Sequence, residues 1–146
     1  MLEKLEFNIT INATKEKIWK VLWSPDSYKA WTNAFCEGSY MITDWKVGDK
    51  VHFLAPDGAG MYSIIEEKTE NEYVAFKHIG EIKDKKELAL DAESKIWTGS
   101  METYLLTEKE DGIELHVEMD TLDDYIDFFC NHFPDGLKKI KELAEK

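Results

Sequence analysis

Four histidines and two cysteines are the side chains of this chain best suited to holding a metal or moving a proton. His52, His78, His116 and His132 lie far apart, and no two share metal-ligand spacing. Cys36 and Cys130 join neither a metal cluster nor a disulfide framework. They are expected to be small buried hydrophobes of a reducing cytosol. Carboxylates are numerous, but they fall mostly on strand exteriors and in turns, and no pair stands out as a general acid and base. No serine has a nucleophile-elbow context, and no glycine run could cradle a phosphate. No catalytic residue, metal or cofactor is therefore assigned. His78 is in phase with Val74 and Phe76, which leaves it either a hydrogen-bonded structural residue or a contact for a ligand.

Aromatic and methionine side chains carry the stronger signal. Trp31, Phe35, Phe53, Phe76 and Trp97 fall in segments expected to face one interior, and Phe129 and Phe133 meet them from the C-terminal segment. With Met61 and Met101 as adaptable fillers, they form either a solid core or the wall of a partly hollow one. In the hollow case these nine residues and His78 are the candidate ligand-binding set.

Composition narrows the classes. At 146 residues the chain fits one domain over 1–146, able to bury roughly 70% of its unfolded surface. A formal charge of −12 repels phosphate backbones, so nucleic acid and anionic membranes are poor partners. No apolar run approaches the ~20 residues of a membrane span, and the N-terminus alternates like a strand, so a cytoplasmic protein is expected.

The elements that must position those side chains follow from periodicity. Leu5, Phe7, Ile9 and Ile11 alternate with polar residues as a half-buried strand. Thr14 can cap a short helix carrying Ile18, Val21 and Leu22, and Ser24-Pro25 restarts a second. Strands follow at 39–43, 51–55, 61–68, 73–79, 97–107 and 113–119, separated by Gly- and Asp-containing turns. Between 80 and 95 the rhythm breaks into a charged run holding Glu81, Asp91, Glu93 and Lys95, expected to be a mobile loop with a possible helical turn at 88–90. From Asp123 to Lys146, Ile126, Phe129, Phe133, Leu137, Ile140 and Ala144 recur at helical spacing. Asp120, Thr121 and Asp123 offer caps, and Pro134 predicts a kink near 129–131. Consecutive hairpins beside a long amphipathic helix give an α+β fold, an antiparallel sheet with the helix on its apolar face.

Ile11-x-Ala13, Ile18-Trp19-x-x-Leu22, Trp31 and the Gly48-Asp49 turn together resemble the START-like helix-grip (SRPBCC) superfamily. Tyr73-Val74-x-Phe76-x-His78-Ile79-Gly80 and Phe133-Pro134-x-Gly136-Leu137-x-x-Ile140-Lys141-x-Leu143-Ala144 resemble its branch named for the activator of Hsp90 ATPase. The resemblance spans nearly the whole chain. It implies a curved antiparallel sheet gripping the C-terminal helix, two short helices after the first strand, and often a cavity for an apolar molecule. Members of the superfamily include lipid and hormone binders, cyclases, hydrolytic enzymes and chaperone activators, so the fold alone selects no activity. The expected function is non-enzymatic binding of a small apolar or amphipathic molecule between sheet and helix. A co-chaperone role with an Hsp90-type chaperone, or a cyclase- or hydrolase-like activity, are the alternatives.

Overall fold

The computed structural model describes residues 2–92 and 94–146, so Glu93 of the charged run lies outside the described residues. β1 (Leu2–Ile11) leads through α1 (Lys15–Trp23) and α2 (Pro25–Thr32) into the sheet. β2 (Tyr40–Thr43), β3 (Lys50–Leu54), β4 (Gly60–Thr69) and β5 (Tyr73–Lys83) follow as a meander. The short β6 (Lys86–Glu87), then β7 (Met101–Lys109), β8 (Gly112–Leu122) and α3 (Ile126–Ala144) complete the chain. All pairings are antiparallel, in the order β1-β8-β7-β5-β4-β3-β2, with β6 beside β5.

Local chemistry sets the elements. Thr14 caps α1, its hydroxyl accepting from the Lys17 amide, and Pro25 opens α2 where its missing N–H costs nothing. On β8, Ile113, Leu115, Val117 and Met119 are buried and their alternates are not, so the inner face is the apolar one. That face meets α3 through Phe133, Leu137, Ile140 and Ala144, and the rings of Phe7 and Phe133 stack at 4.7 Å. A Cβ at Gly136 would come within 3.2 Å of the Phe35 ring, so glycine permits the close approach of α3 to the residues following α2.

Three boundaries differ from expectation. Asp120 and Thr121 belong to β8, because its ladder with β1 continues to the Leu2–Leu122 pair, and ladder hydrogen bonds leave no free residue to act as a cap. A 3-10 turn at Asp123–Tyr125 precedes α3, which then runs without interruption through Pro134. The 80–95 segment is also less loop-like than its charge suggests. β5 continues to Lys83, and Asp84 and Lys85 adopt positive φ in a tight reversal onto β6. No helical turn forms at 88–90; a 3-10 turn sits at Ser94–Ile96 instead. Trp97 lies in the turn after it, since Gly99 at φ +93° delays the start of β7 to Met101.

Among the described residues, no helix is long and apolar enough to cross a membrane.

Candidate functional site

The sheet and α3 do not close on each other completely. An inner cavity of about 240 Å³ lies between β3, β4, β7 and the two helices α2 and α3. Its wall includes Trp31, Phe35, Phe53, Phe129 and Phe133. A second, outer cavity of about 370 Å³ opens towards Trp97, Leu122 and Tyr125. Gly60, Met61, His78, Glu102, Met119 and Phe129 line both, so the two chambers meet along this group. The Trp31 indole donates to the Leu22 carbonyl at 3.0 Å, which holds the ring in place.

A chain of polar groups runs through the junction. Ser63 and His78 are cross-strand partners, set opposite each other by a bulge between Tyr62 and Ser63 that shifts the β4–β5 register. Ser63 Oγ lies 2.6 Å from His78 Nδ1, and His78 Nε2 lies 3.2 Å from Glu102 Oε1. Tyr104 donates its phenol to Glu102 Oε2 at 2.5 Å. Ser63 is wholly buried, and among the described residues its hydroxyl has no hydrogen-bond partner but Nδ1. A buried hydroxyl hydrogen needs an acceptor, so Ser63 donates to Nδ1, and the ring is neutral with its hydrogen on Nε2, facing Glu102. Burial raises the Glu102 carboxyl, but the hydrogen bonds from His78 and then Tyr104 outweigh it, leaving the group below its usual range. Burial first, then the Glu102 charge, push the Tyr28 and Tyr104 phenols well above theirs. The junction thus holds one carboxylate served by neutral donors.

A family model described as activator of Hsp90 ATPase homolog 1-like protein matches residues 12–140. The chain belongs to this family. Among solved structures it is similar to the Aha1 dimer from Colwellia psychrerythraea, at 20% identity and TM-score 0.71, covering 98% of this chain and 96% of that one. It is similar to a protein of unknown function from Staphylococcus aureus, at 15% identity and TM-score 0.72, with 99% and 94% covered. The AHSA1-like protein from Aeromonas hydrophila gives 14% identity and TM-score 0.68, with 98% and 92% covered. No curated protein matches the chain in sequence. At these identities the structural likenesses carry the fold alone, the helix-grip arrangement expected from the sequence.

In this AHSA1-like protein the ten singled-out residues separate into groups. Trp31, Phe35, Phe53, Met61, His78, Phe129 and Phe133 line the inner chamber. Trp97 lines the outer one only. Phe76 is fully buried behind Phe53, its ring 5.2 Å away, and belongs to the solid core. Met101 faces neither chamber; Glu102, Tyr104 and Leu106 take the inner face of β7, and period-2 alternation turns Met101 the other way. Glu102 and Ser63 were the residues missed. The same alternation could have found both, because Glu102 is in phase with Tyr104 and Leu106, and Ser63 with Ile65.

One further expectation is corrected, and one side-chain cluster forms that no sequence spacing marks. Cys36 and Cys130 are exposed, since Cys36 follows the last turn of α2 and Cys130 lies on the outer side of α3. Histidine and carboxylates also converge without sequence spacing. On the outer face of the sheet, ligand-type atoms of Glu6, His116 and Glu118 lie within 4.8 Å of one another. The register that sets β1 against β8 creates this cluster, and Lys4 bridges to Glu118 at 2.9 Å beside it. These charges form a network of exposed ion pairs.

Proposed function

We propose that this AHSA1-like protein binds a small amphipathic molecule, without covalent chemistry, in the two chambers between the sheet and α3. The observation that carries the reading is an aromatic wall around the inner chamber that gives way at the junction to the His78–Glu102 pair. An apolar cavity with a few convergent polar groups is the usual build of a small-molecule site: the wall supplies affinity and the polar groups orient the ligand. Phe129 is half-buried and borders both chambers, so it is the side chain a bound molecule would cover.

The convergence of His78 and Glu102 also suits proton transfer, as in a cyclase or hydrolase. A carboxyl held below its usual range is a weak base at neutral pH, however, and both His78 nitrogens are already engaged. This favours binding over catalysis. Activation of an Hsp90-type chaperone rests on the family's description alone, and a chaperone ATPase assay with and without the protein addresses it.

Nile red, an uncharged fluorescent probe, tests the binding reading. The parent protein should bind it with a blue-shifted emission. Phe129→Trp should weaken that binding several-fold by filling the junction, with a stability change below ~1.5 kcal/mol because the side chain has room. Absence of probe binding in the parent, together with no small molecule in a mass spectrum of the natively purified protein, would remove the proposal.

A further inference from the structure

The cavity walls carry charge of one sign. Glu102 stands at the junction, and Asp120 and Glu81 line the outer chamber. Among the described residues neither chamber is lined by a lysine or arginine. His78 and Tyr104 are neutral donors, so they stabilise the Glu102 carboxylate without cancelling its charge.

Donor and acceptor capacity points the same way. A carboxylate has about four acceptor sites, and the bonds from His78 and Tyr104 occupy two. The polar hydrogens of both donors are used on Glu102 itself. What remains for a ligand at the junction is acceptor capacity and negative charge. A ligand carboxylate would be placed beside Glu102 with little water to screen the repulsion. A hydroxyl could use one remaining acceptor site. An ammonium group could use several, would neutralise the charge, and would sit beside the aromatic side chains Phe53 and Phe129 that line the cavity.

We propose that the ligand is an amphiphilic amine, its ammonium group held at the junction by Glu102 and its apolar body against Trp31, Phe35 and Phe53. The acidic outer chamber, with Asp120 and Glu81, is the side from which a cation is drawn in. This inference rests on the binding reading above and gives it a substrate class.

Three compounds with one tail and different head groups separate the two claims. Octylamine, octanol and octanoate are each titrated against the protein loaded with Nile red at neutral pH. Octylamine should displace the probe at a concentration roughly tenfold lower than octanol, the ratio expected of one charge-assisted hydrogen bond, and octanoate should be weakest. Glu102→Gln should abolish the amine preference, so that octylamine and octanol displace the probe from that variant at equal concentrations. Should Glu102→Gln not fold, the doubly substituted Glu81→Gln, Asp120→Asn protein should reduce the preference and steepen no other response. Equal displacement by amine and alcohol, or tighter displacement by octanoate, overturns the amine assignment while binding itself stands. If Nile red and all three compounds fail to bind, the cavity reading falls and takes the amine assignment with it.

Discussion

The two halves of α3 carry the same apolar stripe and meet different fates. In the C-terminal half, Leu137, Ile140 and Ala144 are buried against β1 and α1, with Ile140 at 0% exposure. In the N-terminal half, Ile126 and Phe129 are only half-buried, and Phe128 on the flank remains 39% exposed. Phe133 marks the change: it stacks on Phe7 on one side and borders the inner chamber on the other. Helical periodicity reports which side chains share a face, and says nothing about whether a partner surface reaches them. Where the sheet does reach, the stripe is core. Where a gap is left, the same stripe becomes the wall of a cavity, and its apolar area is left for a ligand to bury.

The largest effect should separate the halves by stability. Ile140→Ala removes a fully buried side chain from the closed half and should cost about 2–5 kcal/mol in urea unfolding, while Nile red binding per folded molecule is unchanged. Phe129→Ala should show the reverse, with binding lost and less than half of that cost. Equal costs for the two variants would make the N-terminal half ordinary core and abolish the distinction.

A smaller effect should appear on acidification. Glu102 is held below the carboxyl range of the unfolded chain, so folding favours its ionised form. The resulting stability is present above the unfolded value of about 4.3 and is lost as pH falls through the lower folded value. The parent protein should therefore lose stability below about pH 4 more steeply than Glu102→Gln. Glu87 is also lowered, by hydrogen bonds from Lys50 and His52, but solvent reaches it, and Glu87→Gln should change the acid limb little. Matching acid limbs for Glu102→Gln and the parent would remove the buried carboxylate from the account.

How far the amino-acid sequence showed this in advance depends on the kind of contact involved. The strand alternation of β8, the Thr14 cap, the Ser24-Pro25 restart and the α3 stripe all arise from neighbours within a few residues, and each was legible. The junction was not. Ser63, His78 and Glu102 meet only through the β4–β5 bulge and the β5–β7 register, which no local pattern announces. The end of β8 was misplaced for a related reason: Asp120 and Thr121 have capping chemistry, but pairing with β1, over a hundred residues away, keeps them in the ladder. Met101 was grouped with the wall as an adaptable filler, but the strand begins only there, and the phase set by Tyr104 and Leu106 turns it to the other face.

The smallest effect concerns Cys130, and it tests the same division from the outside of α3. Placement among aromatics suggests a buried thiol, yet helical geometry turns Cys130 away from the stripe that holds Phe129 and Phe133. An exposed thiol reacts at a rate set by its own ionisation, whereas a buried one must wait for unfolding. Native Cys130 should therefore react with a thiol reagent nearly as fast as the urea-unfolded protein does, and Cys130→Ser should change stability by less than ~0.5 kcal/mol. Because the outward face of the helix is common to both halves, saturating the cavity with octylamine should leave this rate unaltered. Protection of Cys130 on ligand addition would mean that the N-terminal half of α3 moves when the cavity fills. The comparison between the halves would then be one of mobility as well as packing. Slow labelling without ligand would place the thiol in an interface that the isolated fold does not provide.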